Sequence, residues 1–287
     1  MTAERVWTPE DTARMLRAPV AGDDKYTRGV LGVATGSEAF PGAAVLGVEA
    51  AVRTGVGMVR YVGPPTPTGL VLRKRPEVVT GTGRVQAWLV GSGIPGAAQR
   101  TMDDNTHLGA ALMDGVPLVI DAGALDRVDA AAGPAVIVPH YRELERTLER
   151  TTSPLTLDEI RADAAAAASR AAETLGVTVL LKGAVTHVAS PGGEPISVSL
   201  GTPWLATAGS GDVLGGVLGA LLATHAADIE ERGHAALAEL AATAAALHGL
   251  AAVKASGGGP IAALDIARAL PGVVAALLQM RDGDATD

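Results

Sequence analysis

Short apolar runs alternate with longer segments of helical period along most of this chain. Residues 29–35, 58–62, 86–90, 118–120, 136–138, 177–181 and 186–189 read as strands, most of them apolar at nearly every position. Between them, residues 41–54, the region 96–113, and residues 156–175, 211–223 and 239–252 read as helices. Pro41 suits a first helical turn, and the Gly55–Gly57 pair stops the helix it opens. Leu157, Ile160, Ala164, Ala167, Ala171 and Leu175 fall near one face of a single helix. Strands without an obvious polar face, separated by helices, predict an α/β protein with a mostly parallel sheet covered on both sides. Ligands of such sheets sit beyond the carboxyl ends of the strands. That rule selects six turns: residues 35–37, 91–93, 121–123, 139–143, 182–186 and 208–212.

Composition sharpens the picture in three ways. Hydrophobic residues make up 48% of the 287 positions, enough for a large core, but aromatic residues only 2%. The core must therefore be built of Ala, Val and Leu, and small side chains let helices approach a sheet closely. The formal net charge of −8 gives no overall field for a phosphate backbone, so nucleic acid is not an expected partner and any anionic ligand needs a local cation or dipole. No cysteine is present, which excludes disulfides, thiolate zinc sites and cysteine nucleophiles. No leader-like apolar segment opens the chain and no run of about 18 uninterrupted apolar residues occurs, so no membrane role and a cytoplasmic location are expected. Residues 1–24 read as an N-terminal extension, 25–275 as one catalytic domain and 276–287 as a flexible tail.

Among the six turns, residues 206–216, Ala-Thr-Ala-Gly-Ser-Gly-Asp-Val-Leu-Gly-Gly, carry the sharpest chemistry. Gly209, Ser210 and Gly211 let a backbone approach a ligand, and the free N–H groups of a first helical turn favour an anion. Asp212 lies inside that turn. It either takes a proton from an attacking hydroxyl or only complements the helix dipole, and spacing alone leaves the two even. Lys182, at a strand end before Gly183, Ala184, Val185 and Thr186, is either a phosphate contact or a solvated residue of a plain hairpin. His140 and Glu143 follow Pro139, suited to touching a substrate and a hydrated Mg²⁺, or to capping a helix. Gly93 lies in a small-residue turn, and Ala43 opens the helix after Pro41. The remaining histidines show no metal-ligand spacing, and no Walker or dinucleotide-binding glycine motif is present.

Taken in order, these segments resemble one family. Pro41-Gly42-Ala43-Ala44 followed by Ala51-Val52-Arg53-Thr54-Gly55-Val56-Gly57, then Gly91-Ser92-Gly93-Ile94, Asp121-Ala122-Gly123-Ala124-Leu125, Pro139-His140-Tyr141-Arg142-Glu143, Lys182-Gly183-Ala184-Val185-Thr186 and residues 206–214 are similar to the ADP/ATP-dependent (S)-NAD(P)H-hydrate dehydratases. The resemblance runs from about residue 25 to 270. It implies a three-layer ribokinase-like fold, and a repair reaction that returns NAD(P)H hydrate (NAD(P)HX) to NAD(P)H as ADP, or ATP, is cleaved in the presence of Mg²⁺. It assigns Asp212 as catalytic base and Ala43, Gly93, His140 and Asp212 to the hydrate. Lys182, Gly183, Ala184, Val185, Thr186 and Gly211 go to the nucleotide, Gly209–Gly211 to the anion hole and Glu143 to a water-mediated Mg²⁺. It also implies a homo-oligomer, a tetramer, with the epimerase on a separate protein. Four positions depart from the family pattern: Ser92 for Pro, Gly123 for Asp, Arg142 for Gly and Ala208 for Gly. The rival readings are a ribokinase-like kinase of a small alcohol, such as a vitamin precursor, and a non-catalytic nucleotide-binding protein.

Overall fold

The structure, a computed structural model, describes residues 4–284. In chain order the elements are β1 (Arg5–Val6), α1 (Pro9–Met15), β2 (Val30–Ala34), α2 (Gly42–Thr54), β3 (Met58–Tyr61), α3 (Pro65–Lys74), β4 (Val79–Thr80), β5 (Ala87–Val90), α4 (Met102–Leu112), β6 (Leu118–Ile120) and β7 (Ala135–Ile137). They continue through α5 (Tyr141–Leu148), α6 (Leu157–Ala162), α7 (Ala164–Leu175), β8 (Thr178–Leu181), β9 (Thr186–Ala189), β10 (Ile196–Val198), α8 (Ser210–Thr224), α9 (Ala226–Arg232), α10 (His234–Ser256) and α11 (Ala263–Asp284). The strands form one sheet in the order β1-β10-β9-β8-β7-β6-β5-β2-β3-β4. Among the described residues, only β9 runs antiparallel to its neighbours.

Every residue of β2, β5, β6, β7 and β8 is buried because each face of the sheet has its own core. Leu31, Val33, Leu89 and Val119 point to the layer of α1, α2, α8, α10 and α11. Val30, Val90, Leu118 and Ile120 point to the layer of α4, α5, α6 and α7. Small residues set the spacing of the first layer. A Cβ on Gly216 would lie 2.2 Å from the carbonyl oxygen of Gly47, so α8 and α2 touch backbone to backbone. The helix α10 is long and apolar enough to cross a membrane by length and composition, as is α11 over Ala263–Gly283, but 83% of the α10 window is buried inside the protein.

The sequence placed one helix over residues 156–175. Asp163 divides it: it ends α6 in an extended conformation, and its carboxylate then accepts the Ala166 N–H at 3.0 Å to cap α7. The segment set apart as an N-terminal extension contains β1, paired with β10, and α1, which packs on α10 and α11. The segment from residue 276, expected to be a flexible tail, is helical as the end of α11 through Asp284, and residues 285–287 lie outside the described residues.

The strand order reverses direction between β2 and β5: from β2 the chain builds β3 and β4 on one side, and from β5 it builds β6, β7 and β8 on the other. Such a switch point leaves a crevice at the carboxyl ends of the two strands. The turns after β2 and β5, residues 35–37 and 91–93, face each other there, with Gly36 N–H donating to the Ser92 carbonyl at 2.7 Å.

Candidate active site

Asp212 occupies the third position of α8, whose N-cap is Gly209 at a φ of 86°. The left-handed φ and the lack of space, with Leu46 Cδ1 2.5 Å from where a Cβ would stand, explain why residue 209 is a glycine. Because α8 packs over β2, β5 and β6, its first turn is delivered to the switch-point crevice. The Asp212 carboxyl is half-buried there. Burial pushes its pKa up to about 6, the charge of Asp121 adds to the shift, and Lys182 and the Ser92 hydroxyl oppose it.

Asp121 ends β6 and is the hub beside it. Its Oδ1 accepts from Lys182 Nζ at 3.0 Å and from the Ala122 N–H at 2.9 Å, while its Oδ2 accepts from Ser92 Oγ at 3.1 Å. Lys182 ends β8 and lies 3.7 Å from Glu143 Oε2. Burial works against its charge, yet Asp121 and Glu143 hold its pKa above the usual lysine value. Lys182 is thus neither solvated nor free: it is both part of the β8–β9 hairpin and ion-paired inside the site. Gly211 lies next to it, since a Cβ there would stand 3.5 Å from Lys182 Nζ.

His140 caps α5. Its Nδ1 accepts the Glu143 N–H at 3.2 Å, and Glu143 Oε2 accepts the His140 N–H at 2.8 Å, a reciprocal capping pair that leaves the imidazole half-exposed. Lys182 N–H donates to the Pro139 carbonyl at 2.9 Å, so the β7 and β8 ends bring His140, Glu143 and Lys182 together. At the other wall, a Cβ on Gly93 would lie 2.6 Å from Ala43 Cβ. Gly183, Ala184 and Val185 form the exposed tip of the β8–β9 turn, and Thr186 begins β9. The turn that departs from the family at Gly123 has a packing reason: a Cβ there would stand 1.9 Å from the Ile94 carbonyl oxygen.

Among the described residues, no group of three or more His, Cys, Asp or Glu side chains could hold a metal ion. Glu143 is committed on both sides, to the His140 backbone and toward Lys182. A Mg²⁺ here fits only as a cation that takes most of its ligands from phosphates and water, the usual manner of a nucleotide-bound Mg²⁺.

Three residues of the site escaped the sequence reading. Asp121 and Ser92 were legible as members of strand-end turns, but not as the partners of Lys182 and Asp212. His248, on α10, is buried beside the Ser210 backbone and Lys182, its Nε2 has no hydrogen-bond partner among the described residues, and burial pushes its pKa down to about 4. The signal in the sequence was a histidine set among the mostly small, apolar residues 240–252.

Residues 31–271 match the family model described as NAD(P)H-hydrate dehydratase. The chain is 43% identical over 233 residues to a bifunctional NAD(P)H-hydrate repair enzyme of Mycobacterium tuberculosis, covering 75% of this chain and 46% of that protein. The chain therefore spans about half the length of this relative. It is 34% identical over 227 residues to an ADP-dependent (S)-NAD(P)H-hydrate dehydratase of Neisseria meningitidis, covering 73% of this chain and 74% of that one. Among solved structures, the ADP/ATP-dependent NAD(P)H-hydrate dehydratase of Bacillus subtilis, co-crystallised with ATP and Mg²⁺, superimposes with a TM-score of 0.82 at 25% identity, over 96% of this chain and 99% of that one.

Proposed function

The chain belongs to the NAD(P)H-hydrate dehydratase family, and from that premise we propose that it returns the S-epimer of hydrated NADH or NADPH to the reduced cofactor while cleaving ADP to AMP and phosphate. The observation that carries the mechanism is the Asp212 carboxyl, raised to about 6 at the N-terminal turn of α8. A base with that pKa is mostly ionised at neutral pH, yet basic enough to take a hydroxyl proton.

In this reading the hydrate lies in the crevice with its tetrahydropyridine ring against Ala43 and Gly93, and His140 bonds it from the α5 side. The ADP phosphates meet the N–H groups of Gly209–Asp212, with Lys182 and the 183–186 turn holding the nucleotide. Asp212 takes the proton of the 6-hydroxyl as its oxygen attacks the terminal phosphorus of ADP. The phosphorus–oxygen bond to AMP breaks, and the N–H groups and Lys182 offset the negative charge on the transferring group. The carbon–oxygen bond at C6 then breaks, phosphate leaves with the electron pair, and the ring nitrogen lone pair stabilises the cation. Loss of a proton from C5 restores the C5–C6 double bond. Mg²⁺, when bound, neutralises phosphate charge, and Glu143 would hold it through its water shell.

The same proposal includes a cytoplasmic location beside the reduced-cofactor pool, assembly as a tetramer, and a separate epimerase that converts the R-hydrate. The test is incubation with hydrated NADH and ADP. The proposal expects the absorbance of reduced cofactor to return together with stoichiometric AMP and phosphate. Phosphorylation of a small alcohol by ATP, with no return of absorbance, establishes the kinase instead.

A further inference from the structure

A cavity of about 700 Å³ is lined by residues of the 3-10 turn Ala122–Ala130 and of α5, among them Glu143, whose carboxylate also lies 3.7 Å from Lys182 Nζ. Ala122, Gly123 and Glu143 are among its lining residues, as are Arg146 and Arg150. Its size suits a substantial part of a small-molecule ligand. Glu143 belongs to both the cavity and the reaction centre, so a molecule reacting at Asp212 and longer than its reacting ring can continue into it.

The charges on the cavity wall are unevenly committed. Glu143 faces Lys182, and Asp126 is ion-paired with Arg100. Asp129 is the remaining carboxylate. Against it stand two guanidinium groups, Arg146 in the last turn of α5 and Arg150 two residues beyond its end. Arg146 has no hydrogen-bond or ion-pair partner among the described residues. Arg150 spends one N–H on the Asp126 carbonyl at 3.0 Å, which orients its fork and leaves its other donors free. A planar fork of donors matches phosphoryl oxygens, and this acidic chain needs a local cation wherever it holds an anion.

The opposite wall is built in advance. Arg100, almost fully buried, donates to the Pro95 carbonyl at 3.1 Å and the Gly123 carbonyl at 2.9 Å and pairs with Asp126. It pins the loop after β5 to the turn after β6. The contact of Gly123 with the Ile94 carbonyl closes the same seam and leaves no room for a side chain. A wall held in this way loses little freedom when a ligand enters.

We propose that this cavity receives the part of the dinucleotide substrate remote from its reacting ring, and that Arg146 and Arg150 bind its phosphoryl oxygens. The proposal rests on the hydratase-type substrate argued above and adds the residues that hold its charged end. Two sources of phosphate are available in such a substrate, the bridging diphosphate and the 2′-phosphate of the NADP form, and they share the same chemistry.

The test compares the unmutated chain with R146Q, R150Q and the double variant. Calorimetry reads affinity for NADPH, NADH and ADP, and steady-state rates read KM and kcat for each hydrate. The double variant is expected to bind NADPH at least tenfold more weakly, to raise KM more than it lowers kcat, and to keep its ADP affinity. A loss confined to NADPH assigns the 2′-phosphate; an equal loss with NADH assigns the diphosphate. Unchanged affinity for both dinucleotides overturns the proposal, as does a loss that falls on ADP instead, or an unmutated chain that binds neither dinucleotide. Turnover of the hydrate by the unmutated chain reports on the proposed reaction separately, because the binding arms are read without it. Both arginines are exposed, and melting temperatures confirm that each variant is folded.

Discussion

Glu49 and Asp212 are carboxylates on two helices that pack against each other, α2 and α8, and their surroundings drive them in opposite directions. Glu49 has no exposed side-chain surface. Arg53, one turn along the same helix, and Arg75, 2.6 Å away at the end of α3, hold both its oxygens. Burial opposes its charge, but the two guanidinium groups win and keep its pKa below the ordinary carboxylate value. Asp212 is less enclosed, yet its neighbours include a second carboxylate, and its nearest cation is already engaged by Asp121 and Glu143. Its pKa rises to about 6. Enclosure alone therefore does not make a carboxylate reactive. What matters is whether the counter-charge is dedicated to it or shared, and the contrast separates a structural clamp from a base.

The largest effect that sharpens this contrast comes from Asp212→Asn. It keeps size and removes the proton acceptor, so turnover of the hydrate should fall by roughly 10²–10⁴-fold. Because ionising Asp212 in the folded protein is unfavourable, the variant should melt no lower than the unmutated chain at neutral pH. A variant within a few-fold of normal turnover would remove Asp212 from the role of base.

Glu49→Gln should do the reverse. Breaking a buried ion pair from one side costs about 3–5 kcal/mol, so the melting temperature should drop while rate per folded molecule stays close to normal. The pH dependence follows from the lowered pKa of Glu49. Its contribution is fully present above the unfolded value, near 4.5, and is lost as pH falls through the folded value. The difference in melting temperature between the two proteins should hold from pH 8 to pH 5 and shrink at lower pH. An equal difference at pH 3 would contradict the clamp.

Gly211→Val tests the turn that places Asp212. A Cβ alone fits there at 3.5 Å from Lys182 Nζ, so alanine should be tolerated, whereas the branches of valine intrude on the phosphate space. The expected result is ADP binding weakened about tenfold, roughly 1.4 kcal/mol, with little change in melting temperature. Calorimetry showing normal ADP affinity in the folded valine variant would place the nucleotide elsewhere. The smallest effect belongs to His140→Ala, which removes the acceptor of the Glu143 N–H and should cost about 1 kcal/mol of stability. A fall in hydrate affinity with intact ADP affinity would further identify His140 as a substrate contact; equal loss of both would reduce it to a cap.

The contrast between the two carboxylates also marks what could be read from sequence. The strand 118–120 coincides with β6 because a fully buried strand advertises itself as an unbroken apolar run, and 186–189 coincides with β9, half-buried at Thr186 and His187 but carrying the β-branched Thr186 and Val188. Asp212 and its glycine turn were legible because small residues before an apolar helix are a local pattern. The break at Asp163 was hidden because the helical spacing of Leu157, Ile160, Ala164, Ala167, Ala171 and Leu175 continues across it. The strand β1 has two residues and so no period to detect, and its pairing with β10 is a long-range contact. No helix was read over residues 263–284, where α11, with Pro271 inside it, is sustained by its packing on α10 and α2. Above all, Asp121 and Lys182 are 61 residues apart, and no spacing rule joins them.

The account turns on Asp212 acting as the base from a raised pKa, and the pH dependence of kcat/KM for the hydrate, at saturating ADP, tests it most directly. An acid limb with an apparent pKa near 6, absent from the residual activity of Asp212→Asn, is the predicted result. A rate that stays level down to pH 4.5, or an acid limb that survives unchanged in Asp212→Asn, would contradict it.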